Sequence, residues 1–243
     1  MTPAELAVLH ADNHVLAVVK PAGMPSVPDD SGDPSLLDLA RAYVEQRYAK
    51  PGRAFLGVVQ RLDRPVSGVL VFARTSKAAR RLSAAFAARE VEKTYLGVGQ
   101  GSVAGAGGTL EQWLFKDRDG NRVHVRRAGE PGAQRAVTRW RVRARAPGRV
   151  LFELRPETGR PHQLRVACAS LGAPLAGDLK YGAPAPLPDR SIALHAAELA
   201  FAHPVGGAPL RLRAPPPGDP AGSAVERELA RLWGFTEETG DPR

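Results

Sequence analysis

Sulfur is scarce in this chain of 243 residues, which holds one cysteine, Cys168, and two methionines. A single thiol excludes an intramolecular disulfide and suits a reducing compartment. Cys168 lies in an apolar stretch of helical spacing and reads as a small buried filler. No run of about eighteen apolar residues occurs, which excludes a helical membrane span. The opening residues, Met1–Leu6, show no basic segment followed by an apolar stretch, so no secretory signal is expected and the cytoplasm is the expected compartment. Lysine is also scarce: six of the 34 basic residues, the other 28 being arginine. No fixed-period repeat is present, which excludes a solenoid or propeller. Neither a dinucleotide fingerprint nor a P-loop occurs, since the glycines over 97–108 lack the required spacing and a following helix.

What the chain does have is positive charge and enough length for a sizeable core. The net charge is +9 and the pI near 10.3. Such a balance favours a polyanionic partner, because each neutralised phosphate releases counterions. A chain rich in Arg, Ala, Gly and Pro also follows from base composition alone, so charge by itself leaves nucleic-acid binding open.

Periodicity predicts strands at Leu6–His10 and Val15–Val19, joined by a turn at 11–14, and a helix at about Ser35–Arg47. A second helix capped by Thr75 or Ser76 runs to about Arg89, with Ala79, Leu82 and Phe86 inward. Strands follow at Val91–Val98, Leu110–Phe115, Arg122–Arg127, Arg135–Arg145 and Arg149–Arg155. A third helix takes Pro161 into its first turn and stops at Gly172. Closing strands are expected at Ile192–Phe201 and Leu210–Arg213, then a Pro-rich linker and a short helix at about Ser223–Leu232. Strands that mostly follow one another, with helices inserted, predict an α+β fold: a long mixed, mostly antiparallel sheet with flanking helices. Residues 1–214 are expected to form one domain and 215–243 a linker and tail.

Two stretches carry chemistry. Gln60–Gly68 sets Asp63 between Arg61 and Arg64, in a break between the apolar runs Phe55–Val59 and Val69–Ala73. A strand-end aspartate also serves ordinary turn chemistry, and the residues alone leave both readings open. The second stretch, Glu157–Arg165, places Arg160, His162, Gln163 and Arg165 at a helix start, where free amides and the dipole attract anions. Arg160 and Gln163 are placed to hold a phosphate or a base edge, and His162 and Arg165 share a helical side.

These residues resemble the RluA family of RNA pseudouridine synthases. The similarity rests on Leu9–Gly23, Gln60–Gly68, Glu92–Tyr95, Thr158–Arg165, Leu171–Tyr181 and Ile192–Pro204, in order and spacing from about residue 6 to 214. The resemblance implies a catalytic domain with a central RNA-binding cleft, without the small N-terminal RNA-binding domain that many members carry. It implies that Asp63 is the catalytic aspartate, that Tyr95 stacks on the target uracil and assists proton transfer, and that Arg165 pairs with Asp63. Arg61 lies where the family contacts RNA, and Arg64, Arg160, His162 and Gln163 complete the expected RNA-contacting set. Three positions depart from the family pattern: Gln60 stands where His is usual, Val66 where Thr is usual, and Pro161 where Thr or Ser is commoner.

Independent chemistry is consistent with these roles. Isomerising uridine needs a nucleophile, for which an ionised carboxylate serves, and a cation that keeps it charged. No cofactor or metal is required, and the six histidines (10, 14, 124, 162, 195, 203) show no metal-ligand spacing. His195, in an apolar strand, reads as a hydrogen-bonded core residue. Arg139, Arg141, Arg143 and Arg145 fall on one strand face by their period of two, as a solvated surface or an RNA rail. Asp117–Asn121 reads as a hairpin turn, not a calcium loop, and Ser67-Gly68 lacks a nucleophile elbow. The expected partner is structured RNA, ribosomal or transfer, bound by a monomer. The competing expectations are a non-catalytic RNA-binding protein of the same fold and a nucleosidase that releases uracil.

Overall fold

The computed structural model describes residues 1–49, 52–117 and 119–214. The helix expected at about 223–232 lies outside the described residues. Among the described residues, eleven strands form the sheet in the order β1-β2-β4-β10-β5-β9-β8-β6-β7, with β11 on β10 and β3 on β4, and three α-helices accompany it. Every pairing register given below is antiparallel. The α+β class and the mixed, mostly antiparallel sheet expected from sequence are present. Packing divides the described residues into two compact units, Met1–Lys93 with Ala196–Ala214, and Thr94–His195.

The first unit opens with β1 (Val8–Ala11) and β2 (Val15–Lys20), a hairpin pairing Ala11 with Leu16. Its tight turn is closed by Asp12, whose carboxylate accepts from the amides of His14 and Val15 at 2.7 and 2.8 Å. Helix α1 (Leu36–Tyr48) begins where Ser35 Oγ accepts from Asp38 N at 3.2 Å, and it buries Leu36, Leu37, Ala40 and Val44. Short β3 (Gly57–Val58) and the fully buried β4 (Ser67–Ala73) flank the Asp63 loop. Helix α2 (Ser76–Ala88) starts on a Thr75 cap, 3.2 Å from Ala78 N. Ala78 and Leu82 are its buried residues, with Ala79 and Phe86 packed beside them, so the inward face is rotated slightly from expectation. Strands β10 (Leu194–Ala202) and β11 (Pro209–Arg213) close the unit with a hairpin. Apolar side chains of β2, β4, α2, β10 and β11 share one core.

The second unit holds β5 (Glu92–Gln100), β6 (Gly107–Asp117), β7 (Arg122–Arg126), β8 (Gln134–Ala146) and β9 (Arg149–Pro156), in the sheet order β5-β9-β8-β6-β7. Asp117 pairs with Arg122 across the turn that was expected to be a hairpin. Arg139, Arg141, Arg143 and Arg145 are exposed in alternation with Trp140, Val142 and Ala144, although the register shifts between Val142 and Ala144. Glu153 on β9 meets Arg141, Arg143 and Arg155 at 3.2, 3.0 and 3.0 Å, so this face is laced with ion pairs.

The third helix differs from expectation at its start. Helix α3 spans Gln163–Ser170, and its cap, His162, sits at φ 50°, a left-handed conformation that breaks the helical path. Pro161 therefore precedes the helix instead of occupying its first turn. Six consecutive residues, Gln163–Cys168, are buried, so packing surrounds this helix on all sides. Burial drives the Cys168 thiol pKa upward, with the Asp178 charge adding to it, which keeps this thiol inert.

One backbone approach in the first unit is very tight. Gly68 has φ 121°, and a Cβ there would lie 2.3 Å from the Ala196 carbonyl oxygen and 2.5 Å from its nitrogen. Gly68→Ala should destabilise the protein by on the order of 3 kcal/mol, since conformational strain and backbone overlap add. Urea unfolding of the variant measures this, and an unchanged midpoint would contradict it.

Candidate active site

The Asp63 loop in the first unit is held from beneath by Lys20. This lysine ends β2 with no exposed surface, and its Nζ donates to the carbonyls of Pro21, Met24 and Arg64 at 2.9, 2.6 and 3.0 Å. Three acceptors match the three hydrogens of an ammonium group. Burial pulls the Lys20 pKa down to about 7, and the negative charge of Asp63 acts in the opposite direction. Gly23 N donates to the Arg64 carbonyl at 2.8 Å, and Ser26 Oγ both donates to the Leu62 carbonyl and accepts from its amide, at 2.8 and 3.1 Å. The residues on either side of Asp63 are thus each tied to the segment 20–26. A turn hydrogen bond from Val66 N to the Asp63 carbonyl, 3.0 Å, completes the loop.

Around this loop the expected residues fare differently. Arg61 is exposed. Arg64 directs its guanidinium to Ser31 Oγ and Asp33 Oδ2, at 2.8 and 2.5 Å, and so braces the polar loop over 28–34. Val66 is buried, and Gln60 Nε2 reaches the Val69 carbonyl at 3.5 Å.

In the second unit, Tyr95 lies on β5 opposite Leu154 of β9 and is half-buried. Arg165 is buried on α3, where its Nε and Nη2 each donate to one oxygen of Asp178 at 2.7 Å. This two-point pairing fixes the plane of the guanidinium and uses two of its five hydrogens. Tyr181 packs beside it, its ring centroid 5.1 Å from the Arg165 guanidinium carbon. The Tyr181 hydroxyl accepts from Val123 N at 2.8 Å and shares a hydrogen bond with His162 Nδ1 at 2.7 Å. Burial raises the Tyr181 pKa, keeping this hydroxyl protonated.

Gln163 faces inward. Its Nε2 donates to the Val137 carbonyl and Thr138 Oγ1, both at 2.9 Å, while Oε1 accepts from Thr158 Oγ1 and Arg160 N at 2.7 and 3.1 Å. Its amide has no bonding capacity left for a nucleic acid, and its work is to hold the 158–160 loop against β8. Arg160 Nε donates to the Arg135 carbonyl at 3.1 Å.

Lys20, Asp178 and Tyr181 carry much of this geometry, and pattern reading assigned none of them a role. The faint signals were a lysine closing an apolar strand run and an aspartate before a Leu-Lys-Tyr turn.

A sequence model of the RNA pseudouridylate synthase family matches residues 14–170, a span that contains Asp63, Tyr95 and Arg165. The chain belongs to this family. It is 39% identical over 228 residues to the ribosomal large subunit pseudouridine synthase D of Xanthomonas campestris, covering 88% of this chain and 67% of that protein. It is 35% identical to the dual-specificity RNA pseudouridine synthase RluA of Haemophilus influenzae, covering 83% of this chain and 89% of the relative. The fold matches the solved human RNA pseudouridylate synthase domain containing 4 with a TM-score of 0.75 at 23% identity, over 94% of this chain and 93% of that one. Family membership makes the chain an isomerase of the pseudouridine synthase type, and it disfavours the non-catalytic alternative.

Lys20 gives this family member a defined pH response. With a folded pKa near 7 against an ordinary 10.5, the folded state carries fewer protons on this amine than the unfolded state between those values. Stability from this group therefore rises with pH across that window and is lost as pH falls toward about 7. Urea midpoints measured from about pH 7 to 9 should show the rise, and Lys20→Met should flatten it while costing about 3 kcal/mol, because the Pro21, Met24 and Arg64 carbonyls lose their shared donor. In the second unit, Asp178→Ala strands a buried guanidinium and should cost roughly 3–5 kcal/mol, measured in the same way.

Proposed function

We propose that the chain converts specific uridines of ribosomal or transfer RNA to pseudouridine, with Asp63 as nucleophile, Tyr95 as the aromatic platform and Arg165 as the charge partner of Asp63. The observation that carries this reading is the family match over residues 14–170, which spans all three side chains in one continuous segment. The names of the relatives, a ribosomal large subunit synthase and a dual-specificity RNA synthase, support the choice of RNA. Isomerisation breaks the N1–C1′ bond and forms a C5–C1′ bond. C5 loses its proton and N1 gains one, so mass is conserved and no oxidant or reductant takes part.

The chain's own groups fit each demand of that reaction. The base must leave its stack, at a cost of roughly a few kcal/mol, and stacking on Tyr95 offsets part of it. The nucleophile must stay ionised in a desolvated site, and a guanidinium supplies charge that cannot be lost by deprotonation. Asp178 supports this role by fixing the plane of the Arg165 guanidinium through Nε and Nη2. Lys20 supports the other half, because it ties the carbonyl next to Asp63 to the end of β2. Arg61, Arg160 and His162 are the proposed contacts to RNA. The enzyme works as a monomer in the cytoplasm, where both classes of RNA reside, and no described helix is long and apolar enough to cross a membrane.

Pseudouridine mapping by carbodiimide primer-extension stops, in cells with and without this protein, tests the assignment. One or more sites should vanish on deletion, return with the wild-type gene and stay absent with Asp63→Ala, a loss of at least about 10⁴-fold in rate. Restoration of the site by Asp63→Ala would reject Asp63 as the nucleophile. Appearance of free uracil would point to glycosidic cleavage without rejoining.

A further inference from the structure

Spacing along the chain picks out no metal ligands, yet the first unit brings two distant histidines onto one carboxylate. His10, on β1, places Nε2 2.8 Å from Asp12 Oδ2. His203, the first residue beyond β10, places Nε2 2.9 Å from the same oxygen. The three ligand atoms all lie within 4.8 Å of one another, and all three residues are partly exposed, which gives an ion a route in. We propose that His10 Nε2, Asp12 Oδ2 and His203 Nε2 bind one Zn²⁺ ion, with water as the fourth ligand, stapling the β1–β2 turn to the β10–β11 turn.

Three features favour a metal over a plain hydrogen-bonded cluster. The first is the state of His203. Its Nδ1 contacts the Val205 carbonyl closely and lies 3.2 Å from the Val205 amide, contacts that exclude one another. The tautomer that donates Nδ1–H to this carbonyl leaves Nε2 with its lone pair. Consistent with that, Nε2 is buried and makes no aligned hydrogen bond, despite its closeness to Asp12. An Nδ1–H held by a carbonyl, with Nε2 turned to the ion, is the usual arrangement of a zinc-bound histidine.

The second feature is Asp12. Its Oδ1 is consumed by the amides of His14 and Val15, so Oδ2 is the oxygen presented to the imidazoles.

The third is preorganisation of both turns. His203 N donates to the Ala208 carbonyl at 2.7 Å, Gly207 N returns to the His203 carbonyl at 3.1 Å, and Arg81 holds the Pro204 carbonyl at 2.7 Å. Arg74 bonds the Asp12 carbonyl from the backbone side. Ligand atoms around a tetrahedral zinc lie about 3.3 Å apart, so the imidazoles need to open by only roughly half an ångström. Two imidazoles and one carboxylate with an open position suit zinc among the ions available to such a donor set.

The test uses the full chain, stripped with a chelator and then titrated with zinc chloride by calorimetry. One saturable equivalent should bind, and a hundredfold excess over Kd should raise the melting temperature by roughly 5–10 °C. Binding should be lost in His10→Ala and in His203→Ala and retained in His124→Ala. Absence of saturable binding, or binding unchanged in the His10 and His203 variants, overturns the proposal. Should either variant unfold, zinc protection of His10 and His203 against diethyl pyrocarbonate in the wild-type protein decides the matter. Protection supports the site, and unaltered reactivity overturns it.

Discussion

A single buried ammonium group organises the segment on which catalysis is proposed to depend. Lys20 sits at the end of β2 without solvent contact and gathers the carbonyls of Pro21, Met24 and Arg64. These carbonyls belong to chain segments separated by some forty residues, and neither segment has regular structure there. Without this shared donor, the Pro21 and Met24 carbonyls would lose the bond that Lys20 supplies, and Gly23 N alone would link the Arg64 carbonyl to this segment, which is costly. The lysine thus converts two loops into one fixed platform for Asp63. The negative charge of Asp63 in turn opposes the burial that disfavours the ammonium.

The second unit solves a similar problem with a different device. Arg165 is buried on a helix enclosed on all sides, and a bidentate Asp178 compensates its charge. Tyr181 covers the guanidinium and orients His162, while Gln163 pins the loop leading into the helix. Such fully satisfied polar networks define one geometry where an apolar core would tolerate several. A pseudouridine synthase needs that rigidity, because an extruded base has to meet the nucleophile within a few tenths of an ångström.

Residues expected at the RNA surface divide accordingly. Arg61 is exposed, whereas Gln163 and Arg64 spend their donors inside the protein. Both are polar residues in motifs, and a motif records that a position matters without saying whether it touches substrate or holds a neighbour that does. Only the direction of the side chain separates those two roles.

Local chemistry determined much of this molecule. Ser35 and Thr75 cap α1 and α2 through their own side chains within one turn, so both helix starts were legible from the residues, as were the strands set by apolar alternation. The order and spacing of the Asp63, Tyr95 and Arg165 motifs carried the family. The start of α3 was not legible, because His162 takes a left-handed conformation next to Tyr181, nineteen residues away. Nor were the Arg165–Asp178 pair, the inward amide of Gln163, the burial of Lys20 or the meeting of His10 with His203. Each depends on where distant segments cross, and a linear pattern encodes the propensity of a segment but not the partner that packing delivers to it.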